Sequence, residues 1–111
     1  SNGNIALMVN MAKYANLPWD TILGAELAHA YKPDAKTYLT GVELLHLIPE
    51  QVMMVAAHQD DLLAAAKQGL RTAFVKRPLE RGVNGKVDTT PDPSFDFVCN
   101  DFRDLASQLG V

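Results

Sequence analysis

Three clusters of polar residues in this sequence have the side chains that chemistry on a small anion requires. In the first, Ser1, Asn2 and Gly3 offer a hydroxyl, an amide and backbone N–H groups at the start of a predicted helix. Such groups bind a phosphate, a carboxylate or a halide. The same residues could equally act only as a helix cap, or be the remnant of a tag. An anion site and a simple cap both stay open at this point.

The second cluster is built around Lys32, which precedes Pro33 and Asp34 in a loop between a predicted strand and a predicted helix. From such a position an ammonium group reaches a carboxylate at a sheet edge and favours its ionised form. A nucleophilic carboxylate needs a partner of this kind. The alternative is a solvated surface lysine, which is the more common state of any single lysine.

The third cluster, residues 58–61, directly follows an apolar run. Asp60 and Asp61 open a predicted helix, where the helix dipole stabilises a carboxylate, and one of them could be only the helix cap. His58 could shuttle protons or bind a ligand, although a lone histidine at a strand end is more often structural. A cap suits Asp60 at least as well as catalysis does, whereas Asp61 is of interest because of the residues around it. Cys99 is predicted to be a small buried side chain.

Composition limits the classes of protein to consider. The chain has 111 residues, of which 48% are apolar and 21% charged, as in one folded globular domain. A net charge of −3 with scattered lysines and arginines argues against a nucleic-acid partner. The single cysteine rules out an internal disulfide and is compatible with a reducing cytoplasm, which we predict as the location. No apolar stretch approaches the roughly 18 residues of a membrane span, so no membrane partner is expected.

The first part of the chain is predicted to contain two helices and a short strand. The first helix has apolar residues at helical spacing from Ile5 and closes near Asn16. A strand is predicted over residues 21–25. The second helix starts at Asp34, ends before Pro49, and is expected to bury one face. That face carries Tyr38, Val42 and Leu45.

The second part predicts an α/β fold. The apolar run 52–57 is typical of a central parallel strand covered on both faces, and a short helix follows it and stops at Gly69. Further strands are predicted over 72–75 and 95–98, separated by a loop over 78–94 and followed by a final helix. This order favours a mostly parallel sheet with helices on both faces, whose ligand site lies at the carboxyl ends of the strands. All three polar clusters fall near that edge, so we expect one site.

In order and separation, the three clusters resemble the motifs of the haloacid dehalogenase superfamily. The segment Ser-Asn-Gly and the spacing Lys-Pro-Asp-x-x-x-Tyr, from Lys32 to Tyr38, look like the type II 2-haloacid dehalogenases. Ala-Ala-His-x-x-Asp-Leu, followed by Thr-Ala-Phe-Val-x-Arg-Pro-Leu-Glu, is similar to a branch of haloacetate dehalogenases. The resemblance covers the whole chain and implies the C-terminal portion of a Rossmann-like hydrolase core.

The resemblance implies a mechanism without a metal or cofactor. An aspartate carboxylate displaces halide from the α-carbon of a small 2-haloacid, and water then hydrolyses the aspartyl ester. Carried over by position, Ser1 binds the substrate carboxylate, Asn2 the departing halide and Lys32 the nucleophile. Tyr38 supports the Lys32 region, and Asp61 positions or activates the hydrolytic water.

Two departures from the family pattern keep other functions open. His58 stands where many relatives carry asparagine, which leaves its role undecided. Ala56 and Ala57 stand where the family's Mg²⁺-dependent phosphatases carry Gly-Asp, so that Asp61 is the only matching carboxylate. Dehalogenation is therefore favoured over a phosphatase acting on a small phosphorylated metabolite. A non-catalytic anion-binding module is the third hypothesis.

The family's nucleophile lies on an N-terminal strand that is followed by a helical cap, and neither matches any of these residues. Because the sequence begins at Ser1 without Met, we expect a portion of a longer protein. The expected partners are that missing N-terminal segment, a 2-haloacid and the halide ion, and a homodimer is compatible with the sequence. The portion alone is expected to be inactive. The identity of the halogen is not encoded in these residues.

Overall fold

The computed structural model describes residues 1–111, which divide into two compact units, Ser1–Leu47 and Ile48–Val111. The N-terminal unit contains three helices: α1 (Ile5–Tyr14), α2 (Ala25–Ala28) and α3 (Ala35–Leu44). The C-terminal unit contains a 3-10 turn (Pro49–Gln51), β1 (Met53–Ala56), α4 (Gln59–Lys67), β2 (Arg71–Val75), β3 (Phe97–Cys99) and α5 (Phe102–Leu109). Each helix is too short or too polar to cross a bilayer.

Helix α1 begins and ends as the sequence predicts. The Oδ1 atom of Asn4 accepts a hydrogen bond of 2.7 Å from the Leu7 N–H group, which satisfies one of the donors that a helix start leaves without an intrahelical partner. The chain leaves the helix at Ala15 and turns at Asn16, whose φ of 52° lies in the left-handed region that asparagine tolerates. Asparagine residues therefore flank this helix at both ends.

The strand predicted over residues 21–25 is wrong. Residues 21–24 are irregular, and the chain then enters α2. The backbone nitrogen of Ser1 donates to the Leu23 carbonyl oxygen at 3.2 Å, so this stretch contacts the beginning of the chain and forms no strand ladder. A Cβ atom on Gly24 would lie 2.7 Å from the Gly3 carbonyl oxygen, and only glycine permits this approach. Apolar composition favoured a strand, but the stretch has no strand neighbour.

Helix α3 is confirmed, with one error at its end. Asp34 caps the helix by accepting the Lys36 N–H group at 2.8 Å. Tyr38 and Val42 are buried, at 3% and 5% exposure, and α2 packs against this helix. Leu45 was expected on the same buried face but is 42% exposed, because the helix ends at Leu44 and the next residue already turns outward.

The sheet is parallel, with strand order β1-β2-β3, in agreement with the predicted fold class. Val55 of β1 pairs with Ala73 of β2, which in turn pairs with Phe97 of β3. The prediction that the run 52–57 is the central strand is wrong for this chain. Strand β2 is central and buried from residue 72 to 75, whereas β1 has one neighbour and its Val55 is 37% exposed.

The two faces of β2 each bury a helix. Ala73 and Val75 point to one face and pack with Leu105 of α5, whereas Phe74 points to the other and packs with Leu62 of α4. Successive residues of a strand face opposite sides, so α4 and α5 cover opposite faces of the sheet as predicted. Two small cores on a single strand therefore hold this unit together.

The loop between β2 and β3 is irregular, as predicted for residues 78–94, but it is held in place by one side chain. The Gln59 amide nitrogen donates to the Asp88 carboxylate and to the Thr90 carbonyl oxygen, and its Oε1 accepts the Asp92 N–H group at 2.8 Å. An amide offers both donors and acceptors, so a single glutamine fixes three points of this loop.

Strand β3 starts at Phe97, two residues later than predicted, because Asp96 bonds through its side chain. Its Oδ2 accepts the Thr72 N–H group at 2.8 Å, and its Oδ1 lies 2.8 Å from Arg71 Nη2. Burial acts to raise the pKa of the Asp96 carboxyl, but the hydrogen bond from Thr72 and the Arg71 guanidinium outweigh it and lower the pKa. An ionised Asp96 thus ties the start of β2 to the segment before β3.

Candidate active site

The N-terminal unit brings together three of the residues singled out from the sequence. The Lys32 N–H group donates to Asn2 Oδ1 at 2.7 Å, and Lys32 Nζ lies 5.8 Å from the centre of the Tyr38 ring. Because Tyr38 is buried in α3, its ring is a fixed platform for the ammonium group. A cation over an aromatic face contributes about 0.5–1 kcal/mol at exposed sites. Lys32 is thus positioned both through its backbone and through its side chain.

The surroundings of Lys32 differ from the prediction in one respect. Its loop connects two helices, α2 and α3, and not a strand and a helix. The end of α2 is marked by His29, whose φ of 50° lies in the left-handed region. The half-buried Lys32 is followed by a cis peptide bond to Pro33, and Asp34 then caps α3.

Two backbone donors near Ser1 are engaged within the protein. The Gly3 N–H group donates to Ser1 Oγ at 3.1 Å, and the Ile5 N–H group donates to Glu26 Oε1 at 2.7 Å. These two N–H groups are therefore not free for an external anion. No local pattern pointed to Glu26, which lies 21 residues away along the chain.

The side chains of this segment still offer groups suited to an anion. Because Asn2 Oδ1 accepts from the Lys32 backbone, the other end of the amide is an NH₂ group that can only donate. Asn2 lines a cavity of about 420 Å³ together with Glu26 and Tyr31. Asn2 thus contacts the Lys32 loop through its amide oxygen and also lines this cavity.

In the C-terminal unit, His58 forms a hydrogen-bonded pair with Glu80 that sequence reasoning missed. Its Nε2 atom lies 2.9 and 3.0 Å from the two carboxylate oxygens of Glu80. The hydrogen bond from His58 lowers the pKa of Glu80 below its usual value, although burial opposes this, and Arg77 at 3.6 Å acts in the same direction. Glu80 lies in the irregular loop after β2, so no helical or strand periodicity connects it to His58.

The two aspartates of the third cluster lie in the first turn of α4. The helix cap is His58, whose side chain makes no capping hydrogen bond, so neither Asp60 nor Asp61 caps the helix. Asp60 is exposed and Asp61 is half-buried. The positive end of the helix dipole stabilises carboxylates at this position. Asp61 thus lies in the first turn of α4, just after the carboxyl end of β1.

A cavity of about 550 Å³ lies at the carboxyl ends of β1 and β2 within the C-terminal unit. This is where parallel sheets bind their ligands. It carries charges of both signs. The charged residues in its lining are His58, Asp60, Arg77, Glu80, Arg81, Lys86 and Asp88.

The remaining chemically reactive side chain is Cys99. It is fully buried, as predicted, and burial raises the pKa of its thiol. A thiol in such surroundings is not the thiolate that nucleophilic chemistry uses. No group of three or more histidine, cysteine, aspartate or glutamate side chains in residues 1–111 is arranged to hold a metal ion.

Residues 8–75 match the family model described as haloacid dehalogenase-like hydrolase. Among solved structures, the chain is similar to the L-2-haloacid dehalogenase PA0810, with 47% sequence identity and a TM-score of 0.95, over 99% of this chain and 47% of that one. It is also similar to a defluorinating L-2-haloacid dehalogenase, with 46% identity and a TM-score of 0.96, over 100% of this chain and 45% of that one. The chain thus spans less than half the length of these solved relatives. No curated protein matches it at comparable stringency.

Proposed function

The chain belongs to the haloacid dehalogenase-like hydrolases, and from this premise we propose that the whole protein hydrolyses the carbon–halogen bond of small 2-haloacids. The family membership confirms the resemblance found in the sequence. The observation that carries the proposal is its 46 and 47% identity to two L-2-haloacid dehalogenases of known structure. The placement of Lys32 beside Asn2 and Tyr38 supports it with a physical basis.

In the proposed reaction, an aspartate carboxylate from outside these residues attacks the α-carbon of the haloacid. The carbon–halogen bond breaks, the halide leaves with the bonding electrons, and an aspartyl ester forms. Water then adds to the acyl carbon of the ester. The ester bond breaks, a 2-hydroxyacid is released and the aspartate carboxylate is regenerated.

Lys32 has the proposed role of keeping the nucleophilic carboxylate ionised and oriented. An ammonium held over a buried ring loses little conformational freedom when it meets a carboxylate, and a fixed positive charge favours the ionised nucleophile. The donating NH₂ group of Asn2 is suited to the departing halide, and the Ser1 hydroxyl to the substrate carboxylate. Tyr38 is the support for Lys32.

Asp61 is proposed to position the hydrolytic water and to accept a hydrogen bond from it. It lies in the first turn of α4, where the helix dipole interacts favourably with a negative charge. Asp61 is also half-buried, so only part of its surface is open to bulk water.

We further propose that the whole protein supplies the nucleophile and a substrate-covering cap from a segment outside residues 1–111. The solved relatives are about twice as long as this chain. Strand β1 also has one neighbour, and its Val55 is 37% exposed, although parallel sheets normally bury such apolar strands. A further strand beside β1 would cover it. A reducing, cytoplasmic location is part of the same proposal, since Cys99 has no cysteine partner.

The test is halide release from 2-haloacids by the full-length protein, with and without a chelator, beside a general phosphatase substrate. Halide release that the chelator does not affect, and that is lost in Lys32→Ala and Asp61→Asn, is the expected result. Lys36→Ala, an exposed lysine of α3, is the matched control and should retain activity. Mg²⁺-dependent phosphate release without halide release would establish a phosphatase instead. Release of neither halide nor phosphate would favour a non-catalytic anion-binding module.

A further inference from the structure

The pair formed by His58 and Glu80 points to a function that the dehalogenase proposal leaves unassigned. We propose that Glu80 is a positioning residue which, by accepting a hydrogen bond from the Nε2–H group of His58, leaves Nδ1 as the acceptor for the proton of the hydrolytic water. This inference rests on the proposed function, because it concerns the second half of that reaction. It is carried by the geometry of the pair, by its place in the fold and by its charged surroundings.

The contact with Glu80 selects one of the two tautomers open to a neutral His58 ring. Nε2 lies at hydrogen-bond distance from both oxygens of Glu80, 2.9 and 3.0 Å, so its N–H group is shared between them. An ionised carboxylate only accepts, so Nε2 must be the donor of this pair. A neutral imidazole carries one N–H group, which makes Nδ1 the nitrogen with an available lone pair.

The fold places this ring where a hydrolytic step is proposed. His58 ends the segment after β1 and caps α4 by position, yet its side chain makes no bond to the helix. The ring is therefore committed to Glu80. Asp61 lies three residues further along, and residues three apart at a helix start are neighbours. The His58 side chain is 59% exposed, so water reaches the ring.

The charges around Glu80 maintain it as an acceptor. Arg77 Nη1 lies 3.6 Å from its carboxylate, and the Glu80 N–H group donates to the Arg77 carbonyl oxygen at 3.1 Å. Glu80 is held from two sides, by His58 and by Arg77, and only 22% of its side chain is exposed. The other charged groups in the lining of the same cavity are Asp60, Arg81, Lys86 and Asp88.

In this step one proton moves from water to His58 and then to the leaving 2-hydroxyacid. His58 Nδ1 takes one proton from water while the water oxygen bonds to the acyl carbon of the aspartyl ester. The ester carbon–oxygen bond breaks, and the alkoxide oxygen of the leaving 2-hydroxyacid takes the proton back from Nδ1. The regenerated aspartic acid then ionises. The Nε2 proton stays on His58 throughout, hydrogen-bonded to Glu80, which does not itself react.

Glu80→Gln in the full-length protein tests this inference, with Glu43→Gln on the exposed surface as the matched control. Rapid-mixing kinetics separate the two steps, since halide leaves in the first and 2-hydroxyacid in the second. We expect an unchanged first-turnover burst of halide in Glu80→Gln and a steady-state rate at least about tenfold lower. Glu80→Asp, which retains a carboxylate, should recover part of that rate.

Nuclear magnetic resonance of the His58 ring nitrogens gives a readout that does not depend on activity. The protein should carry the proton on Nε2 of the neutral ring, and Glu80→Gln should show a mixture of both tautomers. Unchanged kinetics in Glu80→Gln, or a fall in both steps together with the melting temperature, would overturn the inference in favour of a purely structural tie. A protein that releases no halide at all contradicts the proposed function. The tautomer then decides separately whether Glu80 orients His58.

Discussion

The two units position their candidate groups in different ways. In Ser1–Leu47, loops hold them: Lys32 is fixed through its backbone by Asn2, and its ammonium group rests over one buried ring. In Ile48–Val111, His58 and Asp61 stand where β1 gives way to α4, next to a central strand whose two faces are both packed. The first arrangement depends on a few local contacts, and the second on a sheet. Disturbing a contact should therefore affect the N-terminal unit through its site and the C-terminal unit through its stability.

The largest expected effect tests the dependence of the C-terminal unit on β2. Phe74 is fully buried between Leu62 and Phe95, so Phe74→Ala should lower the free energy of unfolding by about 3–5 kcal/mol. Chemical denaturation measures this. Phe102→Ala is the control, since that ring is 68% exposed and its loss should change stability by about 0.5 kcal/mol or less. Equal losses in both variants would show that the sheet core does not dominate.

The second-largest expected effect tests whether loop contacts position the candidate residues of the N-terminal unit. A Cβ atom at Gly24 would meet the Gly3 backbone at 2.7 Å, so Gly24→Ala must displace the segment that carries Ser1 and Asn2. We expect a loss of about 1–3 kcal/mol in stability and a larger fractional loss of halide release by the full-length protein. Gly41→Ala in α3 meets nothing within 4 Å and should stabilise by up to about 1 kcal/mol. Normal activity in Gly24→Ala would contradict loop positioning.

The third effect is a pH dependence of stability that Asp96 gives to the C-terminal unit. The pKa of Asp96 is lowered in the folded state, so the stability it contributes is present above the pKa of the unfolded chain and is lost as the pH falls through the folded value. Asp96→Asn should cost about 1–3 kcal/mol at neutral pH, and the difference from the unaltered protein should shrink below about pH 4. Thermal melts at several pH values measure it. Asp20→Asn, an exposed control, should show no such trend.

The smallest expected effect on the stability of the whole C-terminal unit comes from changing the loop after β2. Gln59→Ala removes all three bonds that fix residues 88, 90 and 92, while leaving the sheet core untouched. Hydrogen exchange should accelerate within residues 86–94 and stay unchanged in β2, because local opening does not require global unfolding. Gln68→Ala, at the other end of α4, is the control. Faster exchange in β2 as well would mean that loop and sheet unfold together.

Local signals predicted the parts of the fold that depend on local physics. The starts of α1 and α3, and the end of α4 near Gly69, are short-range features that residue type alone indicates. The errors arise where distant neighbours decide. Residues 21–25 form no strand because they lack a neighbouring strand, and β1 is at an edge for the same reason.

The candidate site shows the same difference between features set by nearby residues and features set by residues distant along the chain. Of the residues that the sequence predicted at one site, the structure brings Asn2, Lys32 and Tyr38 together, while their catalytic roles stay predictions. It missed Glu26 and Glu80, whose partners lie 21 and 22 residues away along the chain. Such pairings depend on how loops are folded against an element end, which no periodic pattern encodes.

The three hydrogen bonds of Gln59 hold only the second part of the loop after β2 in place. Gln59 bonds to residues 88, 90 and 92. Gly82 lies earlier in the loop, and a Cβ atom there would meet no other atom within 4 Å. Extra residues inserted there would lengthen a segment whose end is already anchored, and doubling a loop's length costs only about 0.6 kcal/mol. Insertions at Gly82 are therefore expected to lengthen the loop while residues 88–92 keep their hydrogen bonds to Gln59.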